Sequence, residues 1–119
     1  MKRIAFIDLG SNSVRFVIYE ISKTGSYRLI YQEKNSVRLS ENMWGTQKLT
    51  NEAMERSLRS LKAFVHMAEA MDVDTIKAVA TAAVRLAKNG DAFIKSVKER
   101  TGLDLECIAG EEEARLGFL

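Results

Sequence analysis

Residues 3–21 run Arg3-Ile4-Ala5-Phe6-Ile7-Asp8-Leu9-Gly10-Ser11-Asn12-Ser13-Val14-Arg15-Phe16-Val17-Ile18-Tyr19-Glu20-Ile21. A short apolar run from Arg3 to Ile7 meets the turn-forming cluster Asp8 to Ser13, and β-branched and aromatic residues resume at Val14. That sequence of residue types predicts strand, tight turn, strand. The second strand closes at Ser22-Lys23-Thr24-Gly25, and Tyr27-Arg28-Leu29-Ile30-Tyr31-Gln32 begins a third that runs to about Leu39. The chain therefore opens with an antiparallel meander.

Beyond it, Ser40 to Leu49 reads as a loop, and Thr50 is placed to cap a helix with Glu52 in its first turn. Met54, Leu58, Leu61, Val65 and Ala68 recur at alternating steps of four and three, with Phe64 and Met71 widening the stripe, so this helix buries one face. Thr75 to Thr81 gives a short strand, and small residues with Arg85 lead to Asn89-Gly90. Ala92 to Arg100 forms a second helix that Gly102 ends, and Leu103 to Ile108 gives the last strand. Glu111, Glu112 and Glu113 followed by Ala114 to Leu119 resemble the first turns of another helix, so the chain is expected to end within it. The order βββαβαβ(α) predicts an α/β fold with one mixed sheet flanked by helices.

Composition narrows the chemistry. A length of 119 residues is one domain's worth of chain, large enough to bury about two-thirds of its unfolded surface. With one cysteine, Cys107, there is no intramolecular disulfide, and Cys107 and His66 alone cannot complete a structural zinc site. His66 lies inside the helical stripe with no serine and acid arrangement around it, which argues against a serine nucleophile. Lys and Arg number 18 against 16 Asp and Glu, interleaved, giving no cationic tract for DNA. No window approaches the ~20 apolar residues of a membrane span, and Asp8 breaks the only candidate signal core. An unpaired thiol and no export signal point to the cytoplasm.

Three places can carry chemistry. Asp8 sits where a strand ends, followed by Gly10 and the small polar residues Ser11, Asn12 and Ser13. Such a turn can aim backbone N–H groups and hydroxyls into one concavity that suits phosphate oxygens, and the carboxylate beside it could hold Mg²⁺ through water. An ordinary hairpin turn is the plainer alternative. Arg85 follows the fourth strand, where α/β sheets place ligand-binding side chains, and could clamp a phosphate; a solvated arginine is the alternative. One of Glu111 to Glu113 could orient and deprotonate a water, or all three could simply complement a helix dipole. His66, Cys107 and the methionines Met43, Met67 and Met71 read as packing residues.

Taken in order, three segments resemble the exopolyphosphatase/guanosine pentaphosphate phosphohydrolase (Ppx/GppA) family, of the actin-like ATPase superfamily with its ribonuclease-H-like lobes. They are Ile7-Asp8-Leu9-Gly10-Ser11-Asn12-Ser13-Val14-Arg15, then Ala78 to Arg85 with Ala87-Lys88-Asn89, then Gly110-Glu111-Glu112-Glu113-Ala114-Arg115-Leu116. The resemblance runs from residue 4 to the end. It implies that Asp8 lies near a catalytic Mg²⁺ or another divalent cation, that Gly10 to Ser13 hold a terminal phosphate, that Arg85 binds phosphate, and that Glu113 is the general base.

The implied reaction is hydrolysis of a phosphoanhydride, with inorganic polyphosphate or guanosine pentaphosphate as substrate. Family members carry a second lobe with a D-x-G-G-G-S phosphate motif, which does not occur in these 119 residues. The expectation is thus an N-terminal lobe, one domain over 1–119, inactive alone and partnered intramolecularly by a second lobe; a homodimer is left open. A non-catalytic phosphate- or alarmone-binding module and a kinase-like relative remain the alternatives.

Overall fold

The computed structural model describes residues 2–108. Strands β1 (Lys2–Leu9), β2 (Ser13–Ile21) and β3 (Tyr27–Ser36) form the expected meander, followed by helix α1 (Asn51–Ala70), β4 (Thr75–Ala80), α2 (Ala82–Leu86), α3 (Gly90–Thr101) and β5 (Leu105–Cys107). They build one five-stranded sheet in the order β3-β2-β1-β4-β5. β1 pairs antiparallel with β2 and parallel with β4, and β4 pairs parallel with β5. The mixed α/β sheet is as the sequence predicts. The helix expected over residues 111–119 lies outside the described residues.

Alternation along the strands decides which face is the core. Ala5, Ile7 and Leu9 of β1 and Val14, Phe16 and Ile18 of β2 are fully buried, as a period of two requires. Against them pack Leu61 and Phe64 of α1 and Phe93 and Val97 of α3. Phe16 and Phe64 stack with ring centroids 4.7 Å apart, so the meander and α1 share one aromatic contact at the centre of the core. Each such buried ring is worth about 1.5–3 kcal/mol over its exposed state. The other face carries Phe6, Tyr19 and Tyr27 in successive edge-to-face contacts.

Helix ends follow their sequence signals. The Thr50 side chain accepts from the Ala53 N–H at 3.1 Å, a cap that satisfies one orphan donor of α1. Gly102 ends α3 in the left-handed region at φ 80°, which glycine adopts without strain.

Several boundaries differ from the sequence reading, β5 among them, which covers only Leu105–Cys107 of the expected Leu103 to Ile108. β1 runs through Asp8 to Leu9 and β2 starts at Ser13, leaving only residues 10–12 as the turn. Asp8 pairs with Arg15 on one side and Val79 on the other, and two ladders outweigh its poor strand propensity. β3 stops at Ser36 instead of Leu39, because the Val37 and Arg38 N–H groups turn to the Asn12 carbonyl and Arg38 bends to φ 46°. The stretch after β4 is helical over Ala82–Leu86, an element too short to show periodicity.

Candidate active site

The site is assembled where β1 and β4 end. β4 is parallel to β1, so Asp8 lies opposite Val79 and Leu9 opposite Ala80. The Thr81 N–H then donates to the Leu9 carbonyl at 3.0 Å, tying the exit of β4 to the start of the turn. These are the carboxyl ends of parallel strands, the end at which open α/β sheets bind ligands.

The turn itself is closed by the Gly10 N–H donating to the Ser13 carbonyl at 2.9 Å. A Cβ at Gly10 would stand 3.3 Å from that same oxygen, a tight approach, and 3.8 Å from Thr81 Oγ1, an ordinary contact. The outer carbonyls of the turn are occupied. Asn12 O accepts from Val37 N at 3.0 Å and Arg38 N at 2.9 Å, and Ser11 O accepts from Ser40 N at 3.0 Å and Ser40 Oγ at 3.3 Å. In a trans peptide the C=O and the following N–H point in opposite directions. Tying down the Ser11 and Asn12 carbonyls therefore turns the Asn12 and Ser13 N–H groups away from the 37–40 segment. The Ser11 and Asn12 N–H groups donate to no carbonyl or side chain among the described residues. Ser11 and Ser13 are half-buried and Asn12 is exposed.

Arg85 comes to the same end of the sheet on α2. Its N–H reaches back to the Thr81 carbonyl at 3.4 Å, so one helical turn separates it from the residue tied to Leu9. The side chain is exposed. Burial pushes the Cys107 thiol above its ordinary pKa, with the Asp91 charge adding and the Arg85 charge opposing, which places the guanidinium within electrostatic reach of the end of β5. Cys107 is half-buried, in keeping with a packing role.

Among the described residues no three His, Cys, Asp or Glu side chains cluster as a metal cage. Asp8 supplies one carboxylate near the end of β1, two residues before Gly10. That donor set matches a magnesium ion, which keeps several waters and binds through one or two carboxylates plus substrate phosphate oxygens.

Sequence reading thus brings Asp8, Gly10 to Ser13 and Arg85 to one end of the sheet, while Glu113 lies outside the described residues. It missed Thr81, a buried hydroxyl 3.5 Å from the Leu9 carbonyl, whose only signal was its place at the end of a strand. It also missed the 37–41 segment, where Val37 and Leu39 are buried although a loop carries no period to reveal it.

The sheet order, the β1–β4 parallel pair and the turn between β1 and β2 define a lobe of the ribonuclease-H-like, actin-like ATPase class. The chain belongs to the Ppx/GppA phosphatase family, whose profile matches residues 17–119. It is 40% identical over 115 residues to a guanosine-5'-triphosphate,3'-diphosphate pyrophosphatase of Pseudoalteromonas atlantica, an alignment covering 97% of this chain and 23% of that protein. The crystal structure of the Aquifex aeolicus Ppx/GppA family member superposes with a TM-score of 0.92 at 36% identity, covering 96% of this chain and 37% of that one. An exopolyphosphatase from Cytophaga hutchinsonii superposes with a TM-score of 0.91 at 32% identity over 97% of this chain and 36% of that one. The chain therefore spans between about a quarter and two-fifths of these relatives' own lengths. No helix of the described residues is long and apolar enough to cross a membrane.

Proposed function

We propose that residues 1–119 are the N-terminal lobe of a two-lobed phosphatase that hydrolyses phosphoanhydride bonds, releasing orthophosphate from inorganic polyphosphate or from guanosine pentaphosphate. The observation that carries this reading is the turn itself. Its Ser11 and Asn12 N–H groups are uncommitted among the described residues, and a carboxylate stands two residues before Gly10 at the end of β1. The similarity to a guanosine-5'-triphosphate,3'-diphosphate pyrophosphatase and to an exopolyphosphatase supports the substrate class.

In this reading the Gly10 to Ser13 turn receives the terminal phosphate through N–H groups and the Ser11 and Ser13 hydroxyls, and Arg85 adds a guanidinium. Asp8 would hold Mg²⁺, which when bound supplies positive charge against the transferring phosphoryl group. Glu113, assigned by its motif, accepts a proton from the attacking water. The water oxygen bonds to phosphorus, the bridging P–O bond breaks, and the electron pair leaves with the shortened chain. A second lobe supplies the opposite wall and its own phosphate motif. The unpaired Cys107 thiol favours a reducing, cytoplasmic setting.

The test is phosphate release by the 119-residue chain against the same chain joined to a second lobe. The joined protein is expected to release orthophosphate and the lobe alone to release little. Glu113→Gln in the joined protein should lower the rate by about 10²–10⁴, the usual contribution of a general base. Saturable phosphate binding with no turnover in the joined protein would make the lobe a binding module instead.

A further inference from the structure

The phosphate turn is held from behind by a segment that is itself held by one arginine. Arg56 of α1 donates from Nε to the Val37 carbonyl at 2.9 Å and from Nη2 to the Arg38 carbonyl at 3.3 Å, and Nη2 also meets Glu41 Oε2 at 2.7 Å. Those three acceptors span the bend whose N–H groups grip the turn: Val37 and Arg38 on Asn12 O, and Ser40 on Ser11 O. The bend is costly, since Arg38 is a non-glycine residue at φ 46°. A strained segment persists only where its surroundings over-determine it, and here the planar guanidinium does so with donors fixed in direction.

We propose that Arg56 is a positioning residue for the phosphate turn. Through the 37–41 bend it keeps the Ser11 and Asn12 carbonyls turned outward, and so keeps the Asn12 and Ser13 N–H groups directed to the opposite side, where an anionic phosphoryl oxygen is received. The proposal rests on reading Gly10 to Ser13 as a phosphate turn. Arg56 itself touches no phosphate; its effect passes through Val37, Arg38 and Ser40. Lysine would keep the charge and lose the fork, so the two basic residues are not equivalent here.

The test uses the 119-residue chain labelled with ¹⁵N, with amide hydrogen exchange read first and inorganic phosphate titrated second. In Arg56→Ala the Val37, Arg38 and Ser40 amides are expected to exchange at least about tenfold faster, while the Leu61 and Phe64 amides in the middle of α1 keep their wild-type rates. Phosphate affinity read from the Ser11, Asn12 and Ser13 resonances should weaken several-fold, with Arg56→Lys intermediate. Glu41→Gln and Ser40→Ala, milder changes, should shift the same amides in the same direction should Arg56→Ala fold poorly. Wild-type exchange at Val37, Arg38 and Ser40 in all these variants would overturn the proposal, as would faster exchange with unchanged phosphate affinity. If phosphate moves no turn resonance even in the wild type, the phosphate reading fails, and the exchange rates alone decide whether Arg56 holds the turn.

Discussion

Asn89 holds Leu49 with both ends of its side-chain amide: Oδ1 accepts from the Leu49 N–H at 2.8 Å and Nδ2 donates to the Leu49 carbonyl at 3.0 Å. The residue just before α3 thus fastens the loop that enters α1, and Lys88 N adds a bond to the Gln47 carbonyl at 2.8 Å. Leu49 is almost fully buried, so its backbone groups have little access to water when Asn89 is lost. Asn89→Ala is expected to cost about 1–3 kcal/mol in urea denaturation, the penalty for a buried polar group left unmade.

Gly90 is required by proximity. A Cβ built there would lie 2.1 Å from the Val84 carbonyl oxygen, a backbone atom that moves only with α2. Gly90→Ala should therefore destabilise by about 1–3 kcal/mol, as overpacking does, even though alanine is the better helix former. Because α2 carries Arg85, the displacement should also lower phosphate release in a joined, two-lobed protein more than Asn89→Ala does. A neutral or stabilising Gly90→Ala in a thermal melt would contradict the close approach of α2 and α3.

These contacts mark what the residues did and did not disclose. The meander was legible because a short apolar run to Ile7 meets a cluster of turn formers before β-branched and aromatic residues resume at Val14, and α1 because its apolar stripe repeats at helical spacing below a threonine cap. Gly102 announced the end of α3. α2 was not legible, since five residues cannot display a 3.6-residue period, and so Arg85 was placed on a connection when it stands on a helix. The braced loop was hidden for a related reason: Val37, Leu39, Met43 and Leu49 are buried in a segment without regular spacing, and their partners lie on α1, α3 and the turn. Of the candidate site, Asp8, the turn and Arg85 were proposed by residue type and place, and the parallel register of β1 and β4 explains why they share one end of the sheet.

Glu20 gives a pH dependence with a definite sign. It lies on β2 between Arg3 of β1 and Arg28 of β3, with contacts of 3.2 and 2.9 Å. The hydrogen bond from Arg3, with the Arg28 charge and hydrogen bond assisting, holds its carboxyl below the usual carboxylate pKa. A depressed folded-state pKa means stability that is present above the unfolded value of about 4.3 and is lost as pH falls through the lower folded value. Glu20→Gln should therefore lower stability modestly at neutral pH and leave it nearly unchanged in acid, where the carboxyl is protonated, so that the acid limb flattens in thermal melts from acid to neutral pH.

Cys107 should be a slow thiol. With its pKa raised chiefly by burial, little thiolate is present at neutral pH, and alkylation by iodoacetamide is expected to be slow in the folded chain and fast in denaturant. The same shift makes its contribution to stability complete below the unfolded thiol pKa and lost as pH rises through the folded one. Rapid labelling of the native chain at neutral pH would contradict the packing around β5.

The central claim is that Asp8 and the Gly10 to Ser13 turn form one wall of a phosphate-hydrolysing site. Its most direct test is Mg²⁺-dependent release of orthophosphate by the joined protein, wild type against Asp8→Asn, with polyphosphate and guanosine pentaphosphate offered separately. Release from at least one substrate by the wild type, cut by about 10²-fold or more in Asp8→Asn with the fold intact by circular dichroism, is the predicted result. Release from neither substrate, or an Asp8→Asn protein as active as the wild type, would contradict it.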